Sequence, residues 1–245
     1  MGRNSTFHFR RFDVENRIAG MKVGTDSVLL GAWTRVIPSD RFILDAGTGS
    51  GLLALMIAQR ANPTASITAV EIDPDATAEA ARNFISSPWP GMLTAVNADW
   101  NQCVADIPPA SVQLIISNPP YFTEALRAPD PRRATARHQL TLSFESLIIS
   151  AADLLAPDGR LSMVSPAAAE PDITYLAEFH RLAISRLTRV IPVEGKPAAL
   201  LLWELIPRGS ATTPAVISTL TLRDSSSLPT PAYVDLTADY YTHLK

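Results

Sequence analysis

Residues 41–60 read RFILDAGTGSGLLALMIAQR. The opening residues, Arg41 to Gly47, form an apolar run of strand length, and Leu52 to Arg60 has the composition of a buried helix. Between them lies Asp45-Ala46-Gly47-Thr48-Gly49-Ser50-Gly51. Glycines at alternate positions permit positive φ and let a ligand approach the backbone closely. A helix that begins directly behind such a loop turns its first N–H groups toward a carboxylate or phosphate. Strand, glycine loop and helix together predict the first unit of an open α/β sheet.

Working outward, a second strand, Ser66 to Ile72, delivers Glu71 twenty residues after Gly51. An acidic side chain at the tip of the second strand is placed to accept from both hydroxyls of a ribose. Asp73-Pro74 then starts a helix, with Asp73 as its cap and Pro74 in the first turn. The third strand, Leu93 to Ala98, ends at Asp99-Trp100, where Asp99 is either an acceptor for an adenine amine or a turn aspartate. The loop spacing is G-x-G-x-G with Asp45 in front, unlike the dinucleotide G-x-G-x-x-G. That combination points to S-adenosylmethionine and away from a nicotinamide cofactor.

The fourth strand, Val112 to Ser117, runs into Asn118-Pro119-Pro120-Tyr121. Two prolines stop the strand, since proline lacks the backbone donor and fixes φ. An amide, two carbonyls and an aromatic ring are thereby presented at the carboxyl end of a buried strand, where open α/β sheets bind ligands. The cluster suits methylation of a planar amine, whose lone pair is delocalised and poorly nucleophilic. Acceptors aimed at the two N–H groups, Asn118 through its side-chain oxygen and Pro119 through its carbonyl, favour the pyramidal, reactive amine. Tyr121 can stack on the planar group and hold it still. The plainer alternative is a proline turn that ends a strand.

Phe122 to Gln139 is a long loop carrying Arg127, Arg132, Arg133, Arg137 and His138 against Glu124 and Asp130. Its arginines suit phosphates and can stack on bases, or they keep a surface loop solvated. Further on, Phe144 to Leu155 and Pro171 to Ala183 are expected as helices and Arg160 to Ser165 as the fifth strand. Arg186 to Val193 and Ala198 to Ile206 are expected as an antiparallel hairpin, Thr219 to Arg223 as an edge strand, and Ala232 to Leu244 as a closing helix. Upstream, residues 1–22 carry five basic residues against two acidic, a net +3 that meets phosphates or simply solvates an edge. In MKVGTDSVLLGAW, Met21 to Trp33, Thr25 or Asp26 is the expected N-cap of a helix laid against the domain.

A composition of 47% hydrophobic and 18% charged residues is that of a globular protein, and the longest purely apolar stretches are too short for a membrane span. One cysteine, Cys103, excludes an intrachain disulfide and fits a reducing, cytoplasmic setting. The net charge of −3 offers no global attraction to nucleic acid, so a polyanion must meet a local patch.

Together these residues resemble the class I S-adenosylmethionine-dependent methyltransferases. From about Phe12 to Pro207 the chain is similar to the bacterial family that methylates the exocyclic amine of adenosine 37 in valine tRNA. The block Met21 to Trp33, Ser87-Pro88-Trp89 and the extension after Phe122 carry that likeness. The resemblance implies a Rossmann-like, mostly parallel seven-stranded sheet with an antiparallel hairpin at its C-terminal end. It implies residues 1–40 as a basic arm and lid helix packed on a methyltransferase domain of residues 41–245, with tRNA as partner and neither a membrane nor an obligate protein partner. It assigns Asp45, Gly47, Gly49 and Gly51 to the methionine side of the cofactor, Glu71 to the ribose, Asp99 to the adenine, and Thr25 nearby. Asn118, Pro119 and Tyr121 would grip the target base, with Lys22, Pro120 and Phe122 on the substrate side; the loop arginines Arg127, Arg132, Arg133 and Arg137 depart most freely from a fixed family pattern and are placed on the substrate side by their own chemistry. Asn-Pro-Pro-Tyr also marks similar enzymes that methylate a release-factor glutamine, DNA adenine or ribosomal guanine. The glutamine enzymes usually carry a helical domain ahead of the cofactor domain, whereas about forty residues precede the glycine loop here.

Overall fold

A computed structural model describes residues 6–18, 23–120 and 142–242. Its elements, in chain order, are β1 (Thr6–His8), β2 (Asp13–Glu15), α1 (Thr25–Trp33), β3 (Phe42–Ala46), α2 (Leu52–Ala58), β4 (Ser66–Glu71) and α3 (Pro74–Ser86). They continue with β5 (Leu93–Asn97), α4 (Trp100–Val104), β6 (Val112–Ser117), α5 (Phe144–Leu154), β7 (Leu155–Pro166), α6 (Glu170–Phe179), β8 (Leu182–Ile191), β9 (Leu200–Pro207), β10 (Val216–Thr221) and α7 (Pro231–Thr237).

The central sheet has eight strands in the order β10-β8-β9-β7-β6-β3-β4-β5. Its alternating side chains build two cores. Ile43, Ile67, Leu114, Ile116, Val164 and Leu202 face α1, α2 and α3, while Leu44, Ile115, Met163, Leu201 and Trp203 face α5 and α6. That alternation is the period-2 geometry of a strand buried on both faces.

The sheet and the helix bounds depart in part from the sequence expectations. The sheet has eight strands rather than seven, because β10 pairs in parallel with β8 over Val216–Thr221. The expected hairpin is a real antiparallel pair, but β9 lies between β7 and β8 and is antiparallel to both. The sixth helix ends at Phe179, not at Ala183: Arg181 takes a positive φ of 59° and β8 starts at Leu182. Pro157-Asp158-Gly159, just past the fifth helix, lies within β7, where the register jumps between the pairings Val112↔Leu155 and Leu114↔Arg160. The closing helix is shorter than expected, spanning Pro231–Thr237.

The N-terminal segment is more than a solvated edge. β1 and β2 form an antiparallel hairpin, and Phe9, Phe12 and Val14 are buried in the first core. Asn83 on α3 accepts from the Glu15 N–H at 2.9 Å and donates to the Glu15 carbonyl at 2.8 Å, adding a side-chain rung to β2. α1 begins after Gly24, which makes no side-chain cap, so Thr25 and Asp26 lie in the first turn instead of capping it. Beyond its end, the fully buried Arg160 of β7 donates to both oxygens of Asp40 at 2.5 and 3.0 Å and to the Arg35 carbonyl. Bidentate geometry and the added carbonyl acceptor offset the desolvation of that pair, and removal of one partner would strand a buried charge. No helix among the described residues is long and apolar enough to cross a membrane.

Gly51 joins β3's loop to α2 at φ 85°, and a Cβ there would clash with the Phe84 ring. Gly51→Ala therefore combines left-handed backbone strain with overpacking, and is expected to lower unfolding stability by about 2–4 kcal/mol. Urea unfolding monitored by circular dichroism measures this; an unchanged midpoint would contradict it.

Candidate active site

Strand register brings the candidate residues to one edge. β3 pairs in parallel with β6 so that Asp45 faces Ile116, and with β4 so that Ala46 faces Val70; β4 in turn sets Glu71 opposite Asn97 of β5. Counting on from these pairs, Gly47, Glu71 and Asn118 leave the sheet at the same level, with Asp99 two residues beyond Asn97. All stand at carboxyl ends, and β3 with β6 flanks the point where strand order reverses, the usual ligand crevice of a doubly wound sheet.

The glycine loop is held by backbone and side-chain bonds. Gly47 and Thr48 N–H both donate to the Val70 carbonyl, at 2.9 and 3.1 Å. Gly47, Gly49 and Gly51 all have positive φ, which is the reason for glycine at alternate positions. Glu71 accepts the Gly49 N–H on Oε2 at 2.9 Å and the Asp73 N–H on Oε1 at 3.0 Å, so its carboxylate is fixed while each oxygen keeps a second lone pair. Asn83 donates to the Ser50 carbonyl at 2.8 Å and so connects the loop to the N-terminal hairpin.

Asp99 is the N-cap of α4, accepting from the Gln102 N–H at 3.2 Å through one oxygen. Asp73 caps α3 as expected, accepting from the N–H groups of Asp75 and Ala76. Ser117 donates to the Ala46 carbonyl at 2.8 Å and ties β6 to β3 at the rim. Asn118 and Pro119 are buried and Pro120 is half-buried. The Asn118 side-chain nitrogen donates to Ser27 Oγ at 2.8 Å. Thr25 is exposed in the first turn of α1, two residues before Ser27. Lys22, Tyr121, Phe122, Arg127, Arg132, Arg133 and Arg137 lie outside the described residues. Leu142, where the described chain resumes, stands 3.3 Å from the position of a Cβ on Gly47.

The methyltransferase small domain family matches residues 24–183. A tRNA1(Val) (adenine(37)-N6)-methyltransferase of Photobacterium profundum is 41% identical over 239 residues, covering 97% of this chain and 98% of its own. One of Porphyromonas gingivalis is 39% identical, covering 96% of this chain and 94% of its own. The chain belongs to this methyltransferase family. A crystal structure of a predicted O-methyltransferase from Agrobacterium tumefaciens, 21% identical, superposes with a TM-score of 0.66 over 88% of this chain and 96% of that one. The shared architecture is the Rossmann-like class I methyltransferase fold.

Asp45 stands at the foot of the glycine loop. Its Oδ2 accepts from Thr48 Oγ1 at 2.5 Å and from the Ala54 N–H at 3.1 Å, while the equally buried Oδ1 has no partner among the described residues. Burial in the loop's foot, offset by those two bonds, pushes the carboxyl up to about 7 from 3.8, with the charge of Glu71 adding a smaller push. The Asp45 carboxyl at the loop's foot and the Glu71 carboxylate bonded to Gly49 make the loop acidic, which fits a cofactor that carries a positive charge and N–H donors.

The sign of the resulting pH dependence is fixed. The unfolded carboxyl ionises near 4 and the folded one near 7, so the folded chain holds the extra proton between these values. Stability then falls as pH rises across that window. The ligand-free protein should be less stable at pH 8 than at pH 5 by about 1–4 kcal/mol from this group, and Asp45→Asn should remove that part of the difference. Denaturant midpoints of both proteins at the two pH values measure it; parallel pH profiles would contradict it.

Proposed function

We propose that this protein transfers a methyl group from S-adenosylmethionine to the exocyclic amine of adenosine 37 in valine tRNA. The observation that carries the reading is the meeting of glycine loop and Asn118 on adjacent parallel strands, at one level of the sheet, in a chain of this family. When bound, the cofactor supplies a methyl already activated on a sulfonium. Asp45, Gly47, Gly49 and Gly51 would hold its methionine side, Glu71 its ribose, and Asp99 its adenine, with Thr25 beside them.

The chain's own work is placement. Asn118 Oδ1 and the Pro119 carbonyl accept from the two N–H groups of the target amine, localise its lone pair and orient it in line with the methyl. With an activated methyl donor, no strong general base is needed. Tyr121 stacks on the adenine, and Lys22, Pro120, Phe122, Arg127, Arg132, Arg133 and Arg137 meet the tRNA, the arginines at its phosphates. An anticodon-loop adenine is single-stranded, so extracting it costs less than flipping a base from a duplex. A cytoplasmic location suits this substrate and the lone cysteine.

An unmodified valine tRNA transcript tests the proposal: it should accept one methyl, and a transcript with guanosine in place of adenosine 37 should accept none. Equal labelling of both would overturn the site. Asn118→Ala should lower kcat by about 100-fold or more, while cofactor affinity measured by calorimetry stays within about threefold. Equal loss of turnover and cofactor affinity would make Asn118 a structural residue instead.

A further inference from the structure

We infer that Ser27 is a positioning residue for methyl transfer, acting through Asn118; the inference rests on the reaction proposed above. An asparagine amide has two unlike ends, an oxygen that accepts and a nitrogen that donates. Toward an amine, only the oxygen end is useful, because the nitrogen end would set donor against donor. Ser27 Oγ lies 2.8 Å from Asn118 Nδ2 and accepts one of its protons, so the nitrogen end is turned to α1 and Oδ1 to the other side. Asn118 is buried and Ser27 half-buried, which limits competition from water for this bond.

The position of Ser27 is itself built into the packing. Ser27 and Gly31 are one helical turn apart on α1 and so share a face. A Cβ at Gly31 would fall 2.5 Å from Met56 Sδ and 3.2 Å from Met56 Cβ, so α1 approaches α2 as closely as a glycine allows. Arg60, just past α2, donates to the Gly31 carbonyl and, at 2.9 Å, to the Thr34 carbonyl. At the far end of α1, Trp33 Nε1 donates to Thr188 Oγ1 at 2.9 Å, and the Arg186 guanidinium lies 3.9 Å from the Trp33 ring centroid. The helix is thus fastened at its middle and its end, and its first turn holds Ser27 against the rim of β6. Thr25, singled out from the sequence, is exposed two residues away, whereas Ser27 makes the contact.

The test compares wild type, Ser27→Ala, Ser27→Thr, Asn118→Ala and the Ser27→Ala/Asn118→Ala double variant, using valine tRNA transcript and S-adenosylmethionine. Ser27→Ala should lower kcat by about 10- to 100-fold, with KM for tRNA, cofactor affinity and melting midpoint nearly unchanged. Ser27→Thr, which keeps the hydroxyl, should restore most of the rate. In the Asn118→Ala background, loss of Ser27 should cost nothing further, since the group it orients is gone. Full activity in Ser27→Ala, an equal loss of cofactor affinity, or additive losses in the double variant would each overturn the inference while leaving the reaction standing. A wild-type protein inactive on tRNA would overturn both.

Discussion

The parallel pairing of β3 with β6 is the constraint on which the site depends. Asp45 faces Ile116 across that pair, so the glycine loop and Asn118 emerge side by side, and Ser117 closes the rim with a hydroxyl bond to the Ala46 carbonyl. A slip of one residue would turn every side chain of β6 to the opposite face, sending Leu114 and Ile116 into the second core and Ile115 into the first. The two hydrophobic cores therefore do more than stabilise the chain. They lock the register that sets the Asn118 amide beside the glycine loop.

Charge at the site is arranged in the same economical way. Asp45 is buried and held back from ionising, whereas Glu71 is fixed by two backbone N–H groups and keeps lone pairs available. The two carboxyls thus differ in setting: Asp45 is fully buried, whereas Glu71 is half-buried with each oxygen held by a backbone N–H. The N-terminal hairpin participates through Asn83, which bonds both Glu15 and the Ser50 carbonyl and so joins the arm to the loop.

Much of this was legible in the chain itself. The strand–glycine–helix unit, the acidic tip at Glu71, the cap at Asp73 and the proline stop after Asn118 are local signals, each written within a few consecutive residues. What escaped was determined by distant partners. The β1–β2 hairpin has strands of three residues, of which only Val14 is buried, and β2 is held by Asn83 of α3, some seventy residues away, so no periodicity announces it. The insertion of β9 between β7 and β8 depends on pairing order, which a run of alternating apolar residues does not encode. Within Met21 to Trp33, Thr25 and Asp26 drew attention as cap types, while Ser27 gained its role only from a residue ninety-one positions away.

The central claim is that this edge of the sheet methylates an adenine amine in tRNA. The most direct measurement is transfer of label from S-adenosylmethionine to unmodified total tRNA, with release factor offered in parallel, followed by nucleoside digestion and mass spectrometry. The account predicts N6-methyladenosine in one tRNA species and no label in protein. Labelled glutamine in the release factor, with the tRNA unlabelled, would contradict it.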